Sequence, residues 1–501
     1  KTNSVAVDYG DGVGHVQVDY DKNMIPVYYN GSQWMSLRDS MIESNPSIWF
    51  DYTGNSTNGD GSHWANAVTV KKEALSKYQN KNLPIDESDV RGYWVYIPRY
   101  AYQVMRRDVS NEVVTDEEAI DMGGFSIRFE TKDDFKRTPA QCAISTTISY
   151  LDCVDPVYPR EERLANQTAW ATHPAFTWQY TQEINGFDKT YELNGFWIGK
   201  FETTGSTSQP TVLPNQKHIS MYDRGNIGDY YDIAKSMGVE DSNNEYGNTA
   251  STSQSNQNNN NLAISTSHML KNSEWGAVAY LSASKYGAGV NNVQINSQYQ
   301  LGSDGNGDWS YGVTGCGPSA SGATGIYTGT GTLGTNTACN SSDTSRAYNG
   351  SKGVLASTTN NVYGVYDMSG GAWEYVMGSY TTNASQSSTS NFSNAAKQPY
   401  VDLYVSSTFS GTNYTNNNLC TWATCGGHAL YETKNVQSVS SSDQSWGGDF
   451  SLFVYSSDPW FLRGGRAGDS SSAGLFSSDS RNGYTVNDYG FRVALLTIPQ
   501  E

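Results

Sequence analysis

Six cysteines and six histidines are the side chains of this sequence most able to hold a metal or carry redox chemistry. The cysteines fall into three close pairs, Cys142/Cys153, Cys316/Cys339 and Cys420/Cys425. Many connectivities are open to six cysteines, but sequence neighbours on loops are the least costly to join. Three local disulfides in an oxidising compartment are therefore expected, with free buried thiols as the alternative. The histidines (His15, His63, His173, His218, His268, His428) are scattered, and neither C-x-x-C nor H-x-x-x-H spacing occurs, so no zinc is expected. Nucleophile motifs of the G-x-S-x-G type are absent, since Asp367 rather than glycine stands two residues before Ser369. The stretch Gly302-Ser303-Asp304-Gly305-Asn306-Gly307-Asp308 looks like a cation loop but lacks the closing glutamate of an EF-hand, and reads as a turn.

Composition narrows the field further. Lys+Arg number 32 against 50 Asp+Glu, a net charge of −18 that repels phosphate backbones and anionic lipid. No nucleic-acid partner is expected. No apolar run is long enough for a membrane span, so no membrane insertion is expected. No charged start leads into an apolar segment, so any export signal has been removed or was never included. Charged residues make up 16%, well under the roughly 25% usual for soluble domains. Ser, Thr, Asn, 49 glycines and 35 tyrosines fill the gap, which suits an outward-facing scaffold of strands and loops. Aromatics at 13% provide enough buried area to exclude a disordered chain.

The elements follow from period and punctuation. Val5, Val7 and Tyr9, then Val16, Val18 and Tyr20, alternate with polar residues around Gly10-Asp11-Gly12, a hairpin signal. A short helical stretch is expected over Lys71–Tyr78, and a strong strand over Tyr93–Pro98, ended or placed at an edge by Pro98. Residues 1–90 read as a β-rich lead-in separate from a main domain over 91–501. Insertions are expected at about 108–170, 242–262 and 381–418. The first is highly charged, with helical patterns near Asp116–Ile120 and Pro159–Gln167. Phe196–Glu202 is a second strand. One helix is expected from Gly228 to Met237 with Gly238 as C-cap, and another from Asn272 or Ser273 with Trp275, Val278, Ala279 and Ser282 on its apolar face.

The stretch Gly364 to Val376 (GVYDMSGGAWEYV) resembles the GLYDMSGNVWEW signature of the formylglycine-generating enzyme/sulfatase-modifying family. Three more blocks follow that family's order. Phe196–Thr204 (FWIGKFETT) is similar to its F-x-I-x-K-x-E-V-T strand, and Asn272–Leu281 (NSEWGAVAYL) to its TEAEWEYAA helix. Arg463-Gly464-Gly465 followed by Gly490-Phe491-Arg492-Val493-Ala494 is similar to its RGGS…GFR ending. The likeness spans roughly residues 91–497 and implies an α+β, C-type-lectin-like fold: a modest twisted sheet, two helices and long loops, closed by strands near both termini.

The resemblance also bears on chemistry. Copper-dependent oxidases of the family carry two cysteines just after the GGS motif. The matching positions here lie near Asp469 and Gly474, and neither is cysteine. Without thiolates there is no soft copper(I) site, and the histidine triad of the related iron-dependent sulfoxide synthases is absent too. A fold kept without its chemistry is expected, with no copper, zinc or organic cofactor; a family-type oxidase ranks third. In the family the YDMSGNVWE turn binds calcium, which carried over gives Asp367, the carbonyls of Gly370 and Ala372, and Glu374. The alternative is that Glu374 pairs with a buried Arg463 or Arg492 while Asp367 caps a turn.

Relatives without catalytic residues display ligand-binding loops between the RGG-like and GFR-like motifs. The matching residues are Trp460, Asp469, Ser471, Phe476, Asp479, Arg481, Asn482, Tyr484 and Asn487. Aromatic rings among small polar residues offer rigid contact area and adaptable hydrogen bonds. An extracellular or cell-surface recognition protein, adhesin-like, for a protein or glycan on another surface is the expectation. The competing reading is the subunit of a fibre or pilus assembled through the Val5–Tyr20 segment, or a homo-oligomer, because exposed strand edges invite pairing.

Overall fold

The computed structural model describes residues 2–10, 13–56, 59–104, 125–134, 171–184, 187–221, 225–237, 265–289, 293–301, 310–318, 325–326, 339, 343–380, 383–387, 390–393, 400–404, 425–430, 432–433, 443–445 and 448–497. Alternating valines organise the start of the chain. Strands β1 (Thr2–Asp8) and β2 (His15–Asp21) form an antiparallel hairpin with Val5 opposite Val18.

Seven strands then make one antiparallel sheet. In chain order they are β3 (Ile25–Tyr29), β4 (Trp34–Ser36), β5 (Asn66–Val70), β6 (Val90–Pro98), β7 (Gly195–Gly199), β8 (Ser265–Met269) and the last strand, β13 (Val493–Thr497). Their order across the sheet is β8-β13-β7-β6-β5-β3-β4. Trp197 on β7 stands opposite Tyr96 on one side and Leu495 on the other. This corrects the expected boundary at residue 90. Residues 25–70 supply strands to the same sheet as the main domain, and their apolar side chains belong to the same core. Pro98 ends β6 inside the sheet, opposite Gly195, rather than at an edge.

A second sheet is built from the C-terminal third. Strand β9 (Trp373–Ser379) pairs antiparallel with β10 (Trp460–Gly464), and β10 with β11 (Gly474–Arg481). The short β12 (Tyr489–Phe491) runs parallel to β9. Only Arg492 separates β12, in the second sheet, from β13, in the first. The described residues are thus mixed and strand-rich, with few helices. None of those helices is long and apolar enough to cross a membrane.

Large aromatic side chains fill the core, and backbone carbonyls satisfy the polar ends of four of its indoles. Trp49, Trp64, Trp197 and Trp275 are all fully buried, and their indole N–H groups donate to backbone carbonyls of Asn66, Tyr286, Asp19 and Leu475 at 2.7–2.8 Å. Lys200, at the end of β7, is also buried. Its ammonium donates to Asn66 Oδ1 and to the carbonyls of Val362 and Gly364. Burial pushes its pKa down.

Both expected long helices form, with altered caps. Helix α1 (Ile227–Lys235) starts from Asn226, whose side chain accepts from Gly228 N–H while Asp229 accepts from Asn226 N–H, both at 2.8 Å. Gly238, its expected C-cap, lies outside the described residues. Helix α2 (Asn272–Ser282) is capped at Lys271 rather than at Asn272 or Ser273, and Glu274 accepts the Lys271 N–H at 2.8 Å. Instead of one apolar face it is buried on all sides. The helical stretch near Lys71 is present as Lys72–Ala74 and Leu75–Tyr78. Most of the three expected insertions, with both charged helical patterns and the 302–308 turn, lies outside the described residues. Inside the first, however, Phe125–Phe129 is a strand whose Phe125, Ile127 and Phe129 are buried in the core.

Gly276 explains how α2 can be buried all round. A Cβ at this position would stand 1.8 Å from the Gly427 carbonyl oxygen. Replacing a mid-helix glycine with alanine ordinarily stabilises by about 1 kcal/mol. Here Gly276→Ala is expected to lower the urea midpoint instead, and an unchanged or raised midpoint would show that the 427 segment does not press on the helix.

Candidate functional site

The C-terminal sheet is held from below by a buried cluster of charges. Arg492 is fully buried and grips Glu374 on β9 with two nitrogens, Nε to Oε2 at 3.0 Å and Nη2 to Oε1 at 2.5 Å. Its remaining donors reach the Gly199 and Tyr366 carbonyls at 2.9 and 2.8 Å. A bidentate pair whose every guanidinium nitrogen is also hydrogen-bonded is the form in which a buried ion pair is tolerated. Burial raises the pKa of Glu374, an effect that Arg492 opposes.

The glycine-rich turn before β9 is tied down by protein donors as well. Asp367 sits at φ +63°, and its carboxylate accepts from Asn296 Nδ2 at 2.7 Å, from Gly315 N–H at 2.9 Å and from the Thr314 hydroxyl. Glu202, at the end of the FWIGKFE stretch, accepts the Ala372 N–H at 2.7 Å. Gly371 lies at φ +73°, and a Cβ there would stand 2.6 Å from Glu202 Oε1. In this structure Glu374 is paired with Arg492. The expected calcium side chains, Asp367 and Glu374, have their oxygens engaged by the protein. Among the described residues no group of three or more His, Cys, Asp or Glu is arranged to hold a metal ion. Arg463, the other candidate partner, bonds instead to Asn272 Oδ1 and the Ala429 carbonyl and lies 5.8 Å from the Trp275 ring centre. Burial brings its pKa down to about 10.

Above this platform lies the rim that begins at Gly464 and Gly465, both in the left-handed region at φ +86° and +75°. Arg466 pairs with Asp469 at 2.9 Å and also with Asp488. Arg481 pairs with Asp479 at 2.8 Å and donates from Nε to the Tyr489 hydroxyl at 2.6 Å. Tyr489 packs against Tyr375 and, at 6.2 Å between ring centres, against Tyr484. The backbone of Tyr484 is fixed: its carbonyl accepts from the Tyr375 hydroxyl at 2.9 Å, and it bridges to Asn226 at the α1 cap. Its side chain is 39% exposed, and among the described residues Leu83 is the only other large apolar side chain so exposed.

The expected contact residues divide accordingly. Trp460 and Phe476 are 0% and 1% exposed and face the core, which corrects their assignment to the contact surface. Trp460 sits in an apolar run covered on both sides, and Phe476 in a strand where even Ser477, Ser478 and Ser480 are buried. Asp479 and Asn487 are buried too. Ser471 and Tyr484 are exposed, while Asp469, Arg481 and Asn482 are half-buried. Of the cysteines, Cys316 and Cys339 are bonded to each other, and Cys425 is also in a disulfide. Cys142, Cys153 and Cys420 lie outside the described residues. Sequence reasoning missed Glu202, Asn296 and Thr314; only the FETT block placed one of them within a resemblance.

No protein-family model matches the chain, and no curated protein matches it. What the site can do is therefore argued from its geometry. The platform buries its titratable groups and offers none to solvent, while the rim presents one pinned aromatic ring among paired charges.

One buried carboxylate beneath the rim gives a pH signature. Asp449 accepts the Phe476 N–H at 2.9 Å and lies against Gly474, where a Cβ would come within 2.1 Å of its oxygens. Burial pushes its pKa up from 3.8 to about 7, which the Phe476 N–H and Arg463 only partly oppose. An acid whose pKa rises on folding stabilises the fold fully below its unfolded value, and that contribution is lost as pH climbs towards its folded value. Wild-type protein should therefore lose up to roughly 4 kcal/mol from this group between pH 4 and 7. Asp449→Asn should remove that slope and be the more stable protein at pH 8; parallel urea-stability profiles for the two proteins would contradict the assignment.

Proposed function

We propose that this chain is a non-catalytic recognition protein of the extracellular space or cell surface. In this reading a formylglycine-generating-enzyme-like, C-type-lectin-like scaffold carries a contact rim over residues 464–487, and the partner is a protein or glycan on another surface. The observation that carries the reading is Tyr484, an exposed ring on a backbone fixed by Tyr375 and Asn226. Interface hot spots favour Tyr and Arg held rigidly before binding, because little side-chain entropy is then lost on contact. Arg481 and Arg466, held by their aspartates, extend that rigid patch. Convergence of the family-like blocks supports the scaffold: β7, α2, β9, β10 and β12–β13 all meet around Arg492 and Trp275.

The test separates rim from platform. On an array of glycans and surface proteins, Tyr484→Ala should weaken retained binding tenfold or more with an unchanged melting temperature. Trp460→Ala should instead destabilise the fold by about 3–5 kcal/mol. Equal binding by wild type and Tyr484→Ala would end the proposal.

A second reading has one observation in its favour. Among the described residues β1 pairs only with β2, so its outer edge carries no strand. A fibre or homo-oligomer built by strand addition would use that edge. Deleting residues 1–22 should then shift the assembly to a smaller species by light scattering, and an unaltered mass would remove this reading.

A further inference from the structure

A second cluster of polar side chains lies away from the rim, where the N-terminus of α2, strand β8 and the hairpin strand Thr177–Ile184 meet. Trp178 and His268 pack edge to face with ring centres 4.9 Å apart, and both touch Tyr400. The Lys271 ammonium stands 4.2 Å above the Trp178 ring, and that of Lys235 3.5 Å from the Tyr400 ring centre. His268 Nε2 bonds to both oxygens of Glu274 at 2.8 and 2.9 Å. Asp402 accepts the Ser273 N–H at 2.7 Å and lies 3.9 Å from the Lys271 ammonium.

Three polar atoms of this cluster are left over. Trp178 Nε1, His268 Nδ1 and Ser273 Oγ are buried and have no hydrogen-bond partner. Trp178, His268 and Ser273 are 1%, 0% and 2% exposed. An orphaned buried polar atom costs about 1–3 kcal/mol, so three in one cluster call for a guest. The indole N–H can only donate, which requires an acceptor; the hydroxyl donates as readily as it accepts. The Lys271 and Lys235 ammonium groups stand over the Trp178 and Tyr400 rings, and Ser273 lies in the first, positive turn of the eleven-residue α2.

We infer that this cluster binds a small monovalent anion, taken up together with a proton on His268 Nδ1. Trp178 Nε1, His268 Nδ1 and Ser273 Oγ then all donate to the guest. The incoming charges cancel, one negative on the anion and one positive on the imidazolium. Glu274 holds the other imidazole nitrogen, the Lys271 and Lys235 charges act on the ring, and Asp402 lies 3.9 Å from the Lys271 ammonium. Burial and the two lysines lower the pKa of the empty imidazole, which Glu274 opposes, so proton uptake accompanies binding rather than preceding it. A water guest would instead donate to a neutral His268 Nδ1, and its binding would not depend on pH.

Bromide is the probe. The full chain is melted across a bromide series against glutamate salt of equal ionic strength, at pH 5 and pH 8, and crystals grown in bromide are measured at the bromine absorption edge. Bromide should raise the melting temperature of the wild type with at least tenfold greater apparent affinity at pH 5. An anomalous peak should lie within hydrogen-bond reach of Trp178 Nε1 and Ser273 Oγ. Trp178→Phe keeps the ring but removes the donor, and Ser273→Ala removes the hydroxyl; each should abolish the bromide response while melting normally in glutamate. Should either variant fail to fold, the wild-type crystal decides alone. A water at the position with no anomalous signal, or a bromide response equal at the two pH values, overturns the inference.

Discussion

The pairing of Arg492 with Glu374 is the constraint on which the two sheets depend. Arg492 is the single residue between β12 in one sheet and β13 in the other, and its guanidinium bonds to β7 as well as to β9. Desolvating these charges is expensive, and the pair is tolerated because all three guanidinium nitrogens are hydrogen-bonded. That requirement fixes the relative position of four strands at one point. It also explains why the turn from Asp367 to Glu374 is crowded with glycine: Gly370 and Gly371 take left-handed backbone angles beside Asn296 and Glu202, where a side chain has no room.

Rigidity beneath the rim follows from the same economy of partners. Arg466 pairs with Asp469 and Asp488, and Arg481 separately with Asp479; the arginines are only partly buried, and such pairs are worth little alone in water. Asp479 and Arg481 stand, however, on a strand whose serines and aromatics are buried on both faces. The backbone under Tyr484 is therefore positioned by packing and by a tyrosine hydroxyl, and the charges only trim the orientation of the side chains around it.

Much of the local structure was legible in the sequence. Period-two alternation marked the Val5–Tyr20 hairpin, and apolar runs marked β6 and β7. Polar caps and helical spacing located α1 and α2 to within a residue or two of their starts. The partner of Glu374 was also among the arrangements foreseen. Depth was not legible. Serine and tryptophan in the stretch 460–480 read as a solvated contact surface, whereas that stretch is covered on both faces, and nothing in local composition tells a one-sided strand from a two-sided one. The lead-in boundary failed for a related reason: residues 25–70 join the main sheet through pairings set by distant strands. Glu202, Asn296 and Thr314 meet the Asp367 turn across long stretches of chain, so no spacing rule announces them.

The last strand has a consequence for biosynthesis. Val493–Thr497 fills the slot between Gly195–Gly199 and Ser265–Met269, so each of those strands keeps an open flank until residues 493–497 have been translated. Non-local closure of this kind is slow, and unpaired flanks are sticky. A nascent chain halted before residue 493 therefore exposes two strand flanks to wrong pairing, whatever local structure it has already formed.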